Sequence, residues 1–167
     1  LLYLIISILQ HHGSGNCKFE FMNVVPIDFL YSMFEFSGVS KDDLYSSLIQ
    51  MGKKHLKTKA MKDIWTPENP TQNYCYVVAE FVYWYVAPYD STAWALTVPS
   101  YDTLHRFVKW PDGTIVDLSC EQFYDWSEID YSKAKRRMFL QTGCKGPSKR
   151  ARLLAELMGY GEIVDKN

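Results

Sequence analysis

The sequence predicts a single α+β domain, and three observations carry that prediction. The length of 167 residues suits one domain large enough to bury a core. Leu44, Leu48 and Met51 recur at helical spacing up to Gly52, behind a capping Ser40 with Asp42 and Asp43 in the first turn. Leu104 to Trp110 and Thr114 to Leu118 read as two strands joined by Pro111-Asp112-Gly113.

The elements follow in chain order. Leu1 to Leu9 is apolar apart from Ser7, far short of the about 20 residues that span a bilayer, and it lacks the basic flank and cleavage site of a secretory signal. His11-His12-Gly13-Ser14-Gly15 breaks any helix and looks like a linker or translated upstream sequence. Residues 1–21 are therefore expected to be a non-native or flexible arm, with Met22 as the native start and 22–167 as the domain. A genuine short hydrophobic arm is the competing reading. Pro26 to Phe36 forms a short helix, the Ser40 helix follows, and a lysine-rich segment to Trp65 leads through Pro67 and Pro70 into a buried helix opened by Cys75 and ended by Pro88. A strand over Trp94 to Val98 precedes the hairpin. Tyr131 to Leu140 is ambiguous, and Pro147 to Met158 is a last helix, with Leu153, Leu154, Leu157 and Met158 on its buried side and a stop near Gly159.

Composition narrows the classes. With 47% hydrophobic and 22% charged residues the chain is globular, neither disordered nor fibrous. Twelve tyrosines and five tryptophans suit an aromatic core or groove. The net charge of −1 hides a separation: Gly113 to Asp130 has five acids and no Lys or Arg, and Tyr131 to Ala155 has eight bases and no acid. Lys53, Lys54, Lys57, Lys59 and Lys62 make a second basic cluster. Solvated helix faces are the commoner cause of such clusters, with nucleic-acid binding the runner-up. Cys17, Cys75, Cys120 and Cys144 form neither a CxxC pair nor a dense framework, which points to a reducing compartment and against a disulfide scaffold or zinc ribbon.

Cys75 is the sharpest feature. It closes Asn69-Pro70-Thr71-Gln72-Asn73-Tyr74 and opens the apolar run Tyr76 to Trp84, so its thiol lies in the first turn of a helix, where free N–H groups favour thiolate. His105 and Asp117 follow, one on each strand of the hairpin. A type I turn with Gly113 left-handed makes a three-residue loop, so Trp110 faces Thr114, Phe107 faces Asp117 and His105 faces Ser119. His105 and Asp117 are then diagonal neighbours on one face, about 7–8 Å apart at Cα. A two-residue loop would send Asp117 to the other face.

Taken singly, each residue has an ordinary role: Cys75 in the core, His105 in a sheet, Asp117 at a turn, Asp112 in turn chemistry, and Cys120 and Cys144 in packing. Glu80, on an otherwise apolar helical face, either supports the site or reaches water. Together, Cys75, His105 and Asp117 fit a nucleophile, a base and an orienting acid, with the Cys75 backbone N–H and the side chains of Gln72 or Asn73 as oxyanion donors.

Asn69-Pro70-Thr71-Gln72 ahead of Cys75, His105 before Pro111-Asp112-Gly113-Thr114, Asp117-Leu118 with Glu121-Gln122-Phe123, and Pro147-Ser148-Lys149-Arg150-Ala151 together resemble the YunG-like family of small bacterial and phage proteins, over about Pro67 to Met158. The resemblance implies a papain-like, NlpC-like or transglutaminase-like arrangement, in which a central helix carrying Cys75 packs on a small antiparallel sheet carrying His105 and Asp117. It implies a microbial source and the bacterial or host-cell cytoplasm, and it names no substrate. The expected function is a cysteine hydrolase or acyltransferase acting on an amide, isopeptide or thioester in a peptide or protein, without cofactor, resident metal or membrane. Two other classes stand beside it: an inactive papain-like module that binds a host protein or nucleic acid, and a zinc protein using Cys75, His105, Asp117 and Cys120.

Overall fold

A computed structural model describes residues 27–139 and 146–162. The expected arm over 1–21, Pro26, Leu140, Cys17 and Cys144 lie outside the described residues. Helix α1 (Ile27–Ser37) and helix α2 (Lys41–Met51) come first. Ser40 caps α2 as its sequence suggests, its side chain accepting from the Asp43 N–H, and Leu44, Leu48 and Met51 are buried. Thr58 caps the short α3 (Lys59–Ile64) in the same way. The lysines before and on α3 are solvated, with Lys53, Lys54, Lys57 and Lys59 exposed and Lys62 half-buried.

Helix α4 (Cys75–Phe81) is the central element, and it continues as a π-helical turn over Val82–Val86. Pro88 explains that turn. The residue before a proline is pushed to extended backbone, which Ala87 adopts at ψ 144°, and its N–H closes on the Val82 carbonyl at 2.8 Å. Val77, Val78, Phe81 and Val82 are buried, and α4 packs on both the sheet and the last helix.

The sheet is antiparallel and has the order β3-β2-β1-β4, formed by β1 (Thr92–Val98), β2 (Thr103–Lys109), β3 (Ile115–Val116) and β4 (Lys135–Arg136). The described residues thus form an α+β arrangement. Val108 pairs with Val116 and Lys109 with Ile115, the Trp110 N–H bonds the Thr114 carbonyl at 2.9 Å, and Gly113 has φ 89°. That is the register expected from a three-residue loop. Asp112 does turn chemistry, accepting from the Thr114 N–H at 2.9 Å. The ambiguous stretch after Asp130 splits into a 3₁₀ turn, Tyr131–Lys133, and the edge strand β4, where Arg136 pairs with Trp94.

Helix α5 (Lys149–Leu157) follows, capped by Ser148. Its buried face differs in part from expectation: Ala151, Leu154 and Ala155 are buried, while Leu153, Leu157 and Met158 are only partly so. Alanines one turn apart let α5 approach α4 closely, which moves the longer side chains to the flanks. Glu80 neither reaches water nor joins the thiol. It is fully buried and accepts the Ser148 N–H at 2.9 Å and the Ser148 hydroxyl at 2.5 Å, tying α4 to the start of α5. Burial raises its pKa, and the two Ser148 bonds oppose that shift.

Candidate active site

The segment before Cys75 is a run of tight turns held by Asn69. Its amide nitrogen donates to the Gln72 side-chain oxygen at 3.0 Å and to the Gln122 carbonyl at 3.2 Å, while its oxygen accepts from Thr71. Trp65 donates to the Pro70 carbonyl at 3.1 Å. Asn73 then takes a left-handed conformation, φ 65°, which turns the chain into α4. Asparagine is among the few residues that tolerate this region. Cys75 emerges half-buried, with its sulfur 3.8 Å from the Leu104 carbonyl on β2.

Asp117 lies just beyond β3, and its carboxylate is saturated. One oxygen takes the backbone N–H and hydroxyl of Ser119 at 3.2 and 3.1 Å, and the other takes the Tyr131 hydroxyl at 2.8 Å and the Nε2 side of His105. Four donors leave it no freedom to turn away from the ring. His105 is fully buried, with Phe123 edge-on at 5.0 Å. Nε2 is committed to Asp117, so Nδ1 is the nitrogen left for the nearby thiol, whose charge and that of the ring favour one another.

The Gln122 amide completes the constellation. Its nitrogen lies 2.8 Å from His105 Nδ1, and its oxygen accepts the Asn73 N–H at 3.3 Å. That acceptor role orients the amide, because the reverse orientation would set two donors against each other. With Nδ1 unprotonated, Gln122 donates to the ring. With the proton on Nδ1 the two groups would both be donors, so the NH₂ must turn from the ring toward the thiolate as the imidazolium forms.

Electrostatics favour the charged pair. For Cys75, burial opposes ionisation, but the hydrogen bond and charge of His105, with the Gln122 amide, outweigh it and hold the thiol below its ordinary value. For His105, burial favours the neutral ring, but Asp117 and the adjacent thiol raise it to about 10. Cys120 is the opposite case: it is fully buried, and burial together with Asp117 and Glu121 pushes its thiol up.

The structure thus brings Cys75, His105 and Asp117 together and turns the Asn73 side chain, one of the expected oxyanion donors, away. The Asn73 amide donates to the Met61 carbonyl at 3.2 Å, and the Gln72 oxygen is held by Asn69. Gln122, Ser119, Tyr131 and Asn69 were not singled out from the sequence. Gln122 stands in the Glu121-Gln122-Phe123 motif, but only the 3₁₀ turn Cys120–Gln122 carries it to the ring. The zinc set does not assemble either, because the imidazole stands between Asp117 and the thiol. Among the described residues no three His, Cys, Asp or Glu side chains are grouped to hold a metal ion.

Compared with family profiles, curated proteins and solved structures, the chain matches none. No helix among the described residues is long and apolar enough to cross a membrane. The chemistry of the site is therefore read from its own geometry.

Proposed function

We propose that the protein is a cysteine hydrolase or acyltransferase of papain-like or transglutaminase-like arrangement, the reading that the YunG-like resemblance also implies. One observation carries it: a half-buried thiol lies beside an imidazole whose far nitrogen is locked to a four-fold hydrogen-bonded carboxylate.

In this mechanism the Cys75 thiol gives its proton to His105 Nδ1, and the thiolate attacks the carbonyl carbon of an amide, isopeptide or thioester. The oxyanion takes N–H donation from the Gln122 amide and the Cys75 backbone. His105 returns the proton to the leaving amine or thiol, while Asp117 holds the ring in the Nε2–H tautomer. Water or an amine, deprotonated by His105, then releases the acyl group from sulfur, which gives hydrolysis in one case and transfer in the other.

The test is intact mass spectrometry after incubation with a small acyl thioester. A single acyl adduct on Cys75, absent from Cys75→Ala and slowed in His105→Ala, is expected. Acylation spread evenly over the cysteines, or none at all in the folded protein, overturns the reading.

A further inference from the structure

Beside His105 lies an open depression of about 530 Å³. Ligand sites commonly span about 300–1,000 Å³, so its size suits a peptide segment. Gln122 and Phe123 belong both to its wall and to the surroundings of His105, so a group seated there lies one side chain away from the buried imidazole. Tyr45, Tyr101, Tyr124 and Trp126 supply four rings among charged and polar neighbours, and the Gln72 NH₂ offers a partner for a peptide backbone.

Its charges are unequal. Lys41 is spent on Glu121, 2.7 Å away, and lies near the Tyr31 and Tyr45 rings at 5.1 and 5.2 Å. Glu68 is exposed in the wall and has no ion-pair partner among the described residues. The α3 lysines, Lys59 and Lys62, are not in the wall. One carboxylate is left in excess, which disfavours a phosphate or acidic ligand and favours a cation. Tyr124 adds a second sign, because its side chain is 99% exposed beside the cleft, free to lie along an alkyl stem or under a cation.

We propose that this depression is a substrate subsite for a peptide segment bearing a Lys or Arg side chain next to the attacked carbonyl, its charge met by Glu68 and its stem covered by Tyr124. The subsite rests on the acyl-transfer reading above, and the two are tested apart. Two sets of short peptides would be used, one ending in a vinyl sulfone and one carrying an N-terminal acryloyl group, so that both directions along the cleft are covered. Each set has Lys, norleucine or Glu beside the warhead. The thiolate adds to the terminal vinyl carbon and the neighbouring carbon takes a proton, so every reaction leaves a mass tag on Cys75.

Each rate is divided by the iodoacetamide rate of the same protein. In at least one set the Lys peptide should react about fivefold to tenfold faster than the Glu peptide. The preference should shrink below about twofold in Glu68→Gln, reverse in Glu68→Lys, and weaken for Lys in Tyr124→Ala. Equal Lys and Glu rates in both sets, or a preference that survives Glu68→Gln, overturn the subsite while selective iodoacetamide labelling of Cys75 leaves the thiol chemistry standing. If iodoacetamide does not select Cys75, the acyl-transfer reading falls, and the subsite is judged from the same peptides without warheads by the NMR shift of the Trp126 indole. A shift with Lys and not Glu supports it, and no difference overturns it.

Discussion

His105 and Asp117 stand diagonally across the β2–β3 hairpin, and the pairing of Val108 with Val116 is what sets them on one face. A slip of one residue would turn Asp117 to the other side and leave a buried imidazole without its acceptor. The positive φ of Gly113 therefore bears directly on the thiol, some forty residues earlier in the chain.

The first prediction removes the charge and keeps the shape. In Asp117→Asn the Ser119 donors retain an acceptor, but the amide nitrogen meets His105 or Tyr131 with a donor where an acceptor was needed. Stability should fall by about 1–3 kcal/mol, and acylation of Cys75 should slow by about a hundredfold or more, because the wrong tautomer reaches the thiol. The check is a thioester rate corrected for the folded fraction by urea melts. An unchanged rate would mean that Asp117 serves the hairpin alone.

Gln122 separates thiol activation from oxyanion stabilisation. Alkylation by iodoacetamide forms no oxyanion, whereas acyl transfer does. Gln122→Ala should raise the thiolate titration midpoint, since the amide helps to lower it, and should slow acylation by about 10²–10³ while slowing alkylation far less. Thiolate absorbance near 240 nm, followed against pH, and the two rates give the comparison. Equal slowing of both reactions would assign Gln122 to positioning His105 only.

Glu80 tests the joint between α4 and α5. Glu80→Ala strands the Ser148 N–H and hydroxyl in a buried place and opens a cavity, for a loss of about 2–4 kcal/mol. Glu80→Gln keeps an acceptor for the N–H and a donor for the hydroxyl, and should stay within about 1 kcal/mol of the parent. The folded pKa of Glu80 is raised, so the ionised group costs stability at neutral pH, and that cost lessens as pH falls through the raised value. The Gln variant should lack this trend in thermal melts between neutral and mildly acid pH.

The parts of the site that the sequence makes legible are those set by local chemistry. Pro111, Asp112 and Gly113 specify a turn, the turn sets a register, and the register aligns His105 with Asp117. Ser40 and Pro88 mark helix ends for reasons contained in a few neighbouring residues. The parts that were missed depend on distant contacts. Gln72 and Asn73 are near Cys75 in the chain, but the left-handed turn at Asn73 accompanies a side chain directed to Met61. Gln122 reaches the ring because a 3₁₀ turn, anchored through Asn69, carries it there from 47 positions beyond the thiol. Glu80 looks like a stray polar residue until Ser148 closes on it from 68 positions away.

The pH profile follows from the two shifts together. Cys75 is held below its ordinary thiol value and His105 is raised to about 10, so the thiolate–imidazolium pair fills the interval between them. Alkylation should lose rate as pH falls through the lowered thiol value, hold a plateau across neutral pH, and rise again near 10 as the imidazolium stops screening the sulfur. Stability has its own sign. Because the folded His105 pKa lies above the unfolded value of about 6.5, its contribution is complete below that value and is lost as pH rises through about 10. From about pH 6.5 to 9 the thiol proton that the folded state lacks offsets the imidazole proton it keeps, so thermal midpoints should drop chiefly between about pH 9 and 10, by roughly 3 °C for each kcal/mol lost, and His105→Gln should drop less over the same range. A single alkylation step centred near pH 9, with no plateau and no difference between the two melts, would mean that the thiol and the imidazole titrate independently.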